Sequence, residues 1–348
     1  MSEYFISFVD LLRLVEGLAS YSRVVAPFLH NQRRHLFEIT PENLKSLDLM
    51  GFRAVEPFKD SLFKVADKVS DYFGPDTPPA PQPLTILGAR GCDLEALEVL
   101  DRVYNEGDFK DPYYAANRSE VLVIGADCTD CGETCFCTLV KGRPYPTKLF
   151  DLNLSPLDGG FIVEIGTEKG RQLSETNRTL FDESTAGKLE EKALNRQRVL
   201  DLLSQKNAKY KLKLGLSETH KRNLENKAWR TLTKDCVECS ACNFTCPTCT
   251  CFLLLDQAGG GRFEKHKVWD ACLKAGYARV AGGANPRGKL FERLQNRYHC
   301  KFDYSFDRLN RYTCVGCGRC IDGCAGSIDM RKIFVELERQ VPLTAKLE

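Results

Sequence analysis

Cys236 to Pro247 reads CVECSACNFTCP, and Cys314 to Ala325 reads CVGCGRCIDGCA. Each stretch holds four cysteines spaced C-x2-C-x2-C-x3-C, the thiolate run that bacterial chains use to hold a pair of 4Fe–4S clusters. Three such closely spaced thiolates cap three irons of one cubane only where the loop between them turns tightly. The fourth cysteine of each run then reaches across to the other cluster. The spacing therefore assigns one cluster to Cys236, Cys239, Cys242 and Cys324, and a second to Cys314, Cys317, Cys320 and Cys246. Zinc is the competing reading, but zinc ribbons use two separated CxxC pairs rather than successive x2 spacings closed by an x3 step. The second run ends in Cys324-Ala325 instead of Cys-Pro. Proline there shapes the following turn and supplies no ligand, so its absence bears on local geometry.

Working outward, two apolar runs of strand length stand before these stretches, Leu84 to Gly88 (LTILG) and Val121 to Gly125 (VLVIG). Between them Asp93 to Tyr104 has helical apolar spacing, with Asp93 as a candidate N-cap. Strand, helix, strand in this order predicts a right-handed βαβ unit with parallel strands ending at one edge of a sheet. Cys92 follows the first strand. ADCTDCGETCFC follows the second and carries Cys128, Cys131, Cys135 and Cys137. A third metal site is expected there, with five cysteines for four positions. Local spacing favours Cys128, Cys131, Cys135 and Cys137, whereas the shared sheet edge brings in Cys92 in place of one of them. A zinc knuckle or a redox pair is the alternative for this loop.

The chain has 348 residues, room for two or three domains, and a formal charge of +2 with acids and bases interspersed. That balance gives no indication of nucleic-acid binding. No apolar run approaches the roughly 20 residues that span a bilayer. The N-terminal stretch is broken by Glu3, Asp10, Arg13 and Glu16, and reads as an amphipathic helix over Phe5 to Leu18 rather than a signal peptide. The 17 cysteines are then expected in a reducing cytoplasm as metal ligands, in an organism living with little oxygen. Arg53–Pro57 and Leu62–Val65 read as short strands, and Pro75–Pro83 as a proline-rich connector. Leu149–Leu157 and Phe161–Ile165 read as strands, and Lys188–Tyr210 and Ser217–Leu232 as helices. Lys206, Lys209, Lys211 and Lys213 form a basic stretch, read as a solvated helix end. Cys249 and Cys251 are expected to pack beside the cluster, with substitution as ligands the alternative; Cys272 and Cys300 sit alone and read as buried small hydrophobes; His266 and His299 read as surface or core imidazoles, with a ligand role the alternative.

The expected architecture mixes α/β and α+β. An N-terminal α/β domain (1–180) carries the third site, a charged helical linker follows (181–232), and a ferredoxin-like dicluster domain (233–348) contains a long insert (252–312). No G-x-G-x-x-G, no Walker A and no nucleophile–base pair is present, so no catalytic residue is assigned.

Several motifs resemble one family group: ARGCDLEAL (89–97), DPYYAANR (111–118), the cysteines of 128–137, CNFTCPTCTC (242–251), WDAC (269–272) and CVGCGRC (314–320). They are similar to the iron–sulfur β subunits of soluble NiFe hydrogenase/sulfur reductases and to the ferredoxin-like iron–sulfur subunit of anaerobic sulfite reductase. The resemblance implies a non-catalytic electron-transfer subunit with three 4Fe–4S clusters, working in a cytoplasmic complex. Its implied partners are a flavoprotein that binds flavin and NAD(P), and a catalytic subunit of siroheme sulfite reductase or NiFe hydrogenase type. For the third cluster the resemblance implies Cys92, Cys128, Cys135 and Cys137, with Cys131 as the alternative. Two further functional readings are a chain that itself reduces a sulfur compound, and a member of an electron-bifurcating complex like heterodisulfide reductase.

Overall fold

A computed structural model describes residues 3–74, 80–259 and 261–340. Part of the Pro75–Pro83 connector lies outside the described residues. Among the described residues, nine strands come before the long helix that starts at Ala186: β1 (Glu3–Ser7), β2 (Arg23–His30), β3 (Arg33–Glu38), β4 (Ala66–Asp71), β5 (Leu84–Ala89), β6 (Val121–Ala126), β7 (Leu152–Leu157), β8 (Gly160–Ile165) and β9 (Asp182–Glu183). A hairpin of β10 (Phe252–Gly259) and β11 (Arg262–Trp269) comes much later.

Eight of these strands form one mixed sheet in the order β3-β2-β5-β6-β7-β8-β1-β9. Strands β2, β5, β6 and β7 run parallel at its centre, with Leu84 beside Val121 and Ile124 beside Leu152. Their side chains are buried on both faces, as the unbroken apolar runs require. One face is covered by the helix Phe8–Ala19 through Leu11, Leu14, Val15 and Leu18. The other is covered by the helix Gly91–Tyr104 through Leu94, Leu97 and Leu100.

Local readings differ from the structure in instructive ways. The first residues form β1 inside the sheet, and the helix begins only at Phe8, where Ser7 caps it. The helix after β5 starts at Gly91, so Asp93 is not its cap. Its carboxylate instead accepts from the Arg90 backbone N–H at 3.1 Å. Residues 53–57 form no strand, and Lys59–Leu62 is one helical turn that delivers Phe58, Leu62 and Phe63 into the second core. Ser217–Leu232 splits into two short helices, Leu216–Lys221 and Ala228–Leu232. The hairpin of the insert is not self-contained, because β11 pairs with β4 in a three-stranded sheet, β10-β11-β4.

Candidate metal centres

The two C-x2-C-x2-C-x3-C stretches turn tightly, with positive φ at Glu238, Ser240, Gly316 and Gly318. Cys236, Cys239, Cys242 and Cys324 line one cavity, walled also by Leu273, Leu294 and Met330. Cys324 comes from the second stretch, and Cys320 of that stretch lines the same cavity. Cys239 is the exposed thiol of this group. In the second group, burial raises the Cys314 thiol, and the neighbouring Cys320, Cys246 and Cys317 raise it further. Burial likewise pushes Cys320 up to about 12, against the opposing effect of Arg297. Cys246 thus sits among the cysteines of the second stretch, although it belongs to the first.

The third group forms where β5 and β6 end. Cys92 lies in the first turn of the helix after β5, and Cys128 two residues beyond β6. Cys92, Cys128, Cys131, Cys135 and Cys137 all line a single cavity. Lys206 Nζ donates to the Cys131 carbonyl at 2.8 Å, and Asn207 Nδ2 to that of Cys135 at 2.9 Å. The helix Ala186–Asn207, of which both are part, therefore closes this loop. Burial pushes Cys128 up to about 12 against the nearby Arg90 guanidinium, and Cys131 up to about 11 against Lys206.

The second and third groups touch. The Phe136 N–H donates to the Gly316 carbonyl at 2.8 Å. A Cβ on Gly316 would lie 2.5 Å from the Cys137 Cα, and one on Gly318 would overlap the Thr134 carbonyl. Cys317 is a neighbour of both Cys92 and Cys135. On the other side, Cys242 of the first group has Cys246 of the second as a neighbour. The three groups thus run in series, first to second to third.

Buried cations surround them. Arg297 donates to the Cys242 carbonyl at 3.0 Å, and Lys301 Nζ donates to the Thr248 carbonyl at 2.9 Å and its hydroxyl at 2.8 Å. Both are under 5 % exposed. Burial would pull Lys301 down, but the neighbouring Cys246 and Cys249, Cys246 foremost, hold it raised. Burial also works against Arg297, which Cys242, Cys320, Cys249 and Cys246 hold raised. Arg53 Nε donates to the Cys317 carbonyl at 2.6 Å, and Arg319 pairs with Asp93 at 2.8 Å beside Cys92. Buried charge needs a counter-charge. Lys301 donates to neutral oxygens of Thr248, so its counter-charge is the thiolate group it faces. A set of thiolates around a multi-iron core is anionic, and this cationic surround fits such a core.

None of these cations was marked by sequence spacing. Nor was His220, whose Nδ1 lies 2.5 Å from Asp303 Oδ2, with His299 Nδ1 at 2.9 Å from the same oxygen. Burial alone would raise the Asp303 carboxyl, but the two imidazoles hold it down to about 2. His266 pairs with Glu264 at 3.1 Å. Lys206 pairs with Glu133 at 2.8 Å as well as capping Cys131, so it is more than a solvated helix end.

Comparison with known proteins bears on these groups. Residues 235–328 match the model of the 4Fe-4S dicluster domain. The chain is therefore mixed α/β with a C-terminal dicluster domain for two clusters. It is also 29% identical over 345 residues to sulfhydrogenase 2 subunit beta of Pyrococcus furiosus, covering 97% of this chain and 96% of that protein. The likeness to that β subunit thus runs nearly the length of the chain, whereas the dicluster match is confined to residues 235–328. Among the described residues, no helix is long and apolar enough to cross a membrane.

Proposed function

We propose that this chain, an iron–sulfur protein similar to a sulfhydrogenase β subunit over nearly all its length, relays electrons within a cytoplasmic oxidoreductase complex. Cys236, Cys239, Cys242 and Cys324 hold one 4Fe–4S cluster, and Cys314, Cys317, Cys320 and Cys246 a second. Cys92, Cys128, Cys135 and Cys137 hold a third. Bound there, such clusters supply one-electron chemistry at potentials set by charge, hydrogen bonds to sulfur and solvent exposure.

The observation that carries the reading is the series contact of the three cysteine groups. The first meets the second through Cys242 and Cys246, and the second meets the third through Gly316, Cys317 and Cys135. Glycines at 316 and 318 let the two loops approach closer than any side chain allows. Arg53, Arg297 and Lys301 are buried at the joints, where Arg297 and Lys301 face cysteine sulfurs and Arg53 pairs with Asp322. The exposed Cys239 makes the first group a terminus open to a partner. In this reading a flavoprotein that binds flavin and NAD(P) meets one end of the relay. A catalytic subunit of hydrogenase or sulfite-reductase type meets the other.

Air-free purification of the full chain and its complex tests this. About twelve irons per chain are expected for three clusters, together with a co-purifying flavoprotein. Retention of zinc in place of iron would contradict it.

A further inference from the structure

Four cysteines remain outside the three groups: Cys249, Cys251, Cys272 and Cys300. Two of them touch. Cys251 immediately precedes β10, and Cys272 lies three residues beyond β11. Phe252 pairs with Trp269, and the Asp270 N–H donates to the Cys251 carbonyl at 3.0 Å, so the base of the hairpin brings the two cysteines together. Their thiols hydrogen-bond one another, and the Tyr277 hydroxyl bonds to Cys251. Asn243 Nδ2 donates to the Cys272 sulfur at 3.2 Å, leaving the Cys272 proton for Cys251. Cys251 is half-buried and Cys272 buried.

This is not the arrangement of a single-ion metal site. Among the described residues, the only three potential ligands with donor atoms all within 4.8 Å of one another are His220, His299 and Asp303. Cys251 and Cys272 form a touching pair, one member half-buried and the other buried.

We infer that Cys251 and Cys272 form a redox-active dithiol that reduces the S–S bond of small disulfides. Cys251 sulfur attacks one sulfur of RS–SR. That bond breaks, and the leaving thiolate takes up a proton as the first RSH. Cys272 sulfur then attacks the Cys251 sulfur of the mixed disulfide. The second RS− leaves with the proton Cys272 gives up. The protein pair is oxidised by two electrons to a Cys251–Cys272 disulfide, and the substrate is reduced by two to 2 RSH. The hydrogen bond from Cys272 brings the Cys251 thiol down to about 6, burial opposing and Tyr277 assisting, which suits it to be the attacking sulfur. The exchange needs no bound cluster, so it stands apart from the relay reading.

The test uses the full chain purified without air and treated with bis(2-hydroxyethyl) disulfide, then acid quench, alkylation and peptide mass spectrometry. The expected result is a Cys251–Cys272 linked peptide with two equivalents of 2-mercaptoethanol released per chain. Cys272→Ser should release one equivalent and keep the mixed disulfide on Cys251. Cys251→Ser should slow release roughly a hundredfold, because the attacking thiolate is gone. Both variants should keep the iron content and visible absorbance of the parent. Absence of the linked peptide in the parent, or undiminished release by Cys251→Ser, would overturn the inference. So would loss of iron in either variant, which would make these residues ligands.

Discussion

The dicluster region and the third cysteine group are built from the same side chain in opposite ways. In residues 235–328 the proposed ligands arrive as two short runs, so local spacing carries nearly the whole arrangement. In the third group Cys92 and Cys128 are brought together only because β5 and β6 are parallel and end at one edge. That site is a property of the sheet itself, and its cavity is closed by a helix from residues 186–207.

Ligand removal separates the two most sharply. Cys242→Ser and Cys137→Ser should each lower iron from about twelve to about eight per chain, one cluster's worth. Cys92→Ser should do the same, while Cys131→Ser should keep all of it, as iron assay on the purified variants will show. The reverse result would move the third site onto its local loop and make the sheet edge irrelevant to it.

The joint between the regions should respond next. Gly316→Ala places a methyl against Cys137 at a positive φ, and should cost about 1–3 kcal/mol of stability by denaturant titration. It should also weaken the magnetic interaction between the second and third clusters. An unaffected protein would mean the two loops do not meet there.

Charge around the clusters gives a smaller effect. Lys301→Met removes a buried cation facing Cys246, and should lower the potential of the neighbouring cluster on the order of 100 mV, read from a few kcal/mol of Coulomb energy at an effective dielectric of ~20. Only that cluster should shift in a redox titration. The smallest effect is on pH. Because Cys251 is held down to about 6, its alkylation rate should rise as pH climbs through 6 and be flat by neutrality. An ordinary thiol continues to gain rate toward about 8.5.

How far the sequence reaches follows the same division. The eight cysteines of the two runs were legible because their ligand spacing is short. The parallel strands were legible because fully buried strands read as unbroken apolar runs. Arg53 was not, since it bonds the Cys317 carbonyl from 264 residues away and sits in a stretch that reads as a strand. Cys272 read as a lone apolar thiol because its partner lies 21 positions earlier, at the other end of the hairpin formed by β10 and β11, and the spacing of two single cysteines carries no sign that they meet. The β4–β11 pairing was invisible for a related reason: a strand of six residues near position 70 has nothing to say about a partner near 265.

Three clusters in series, two held by the runs and one by the sheet edge, are what the whole account requires. Stoichiometric reduction of the air-free full chain, followed by electron paramagnetic resonance with spin integration, addresses this directly. The expected uptake is about three electrons per chain, with one signal lost on Cys137→Ser and the remaining two altered only in their coupling. An uptake of about two electrons, with spectra identical in parent and Cys137→Ser, would leave the sheet edge without a cluster and contradict the account.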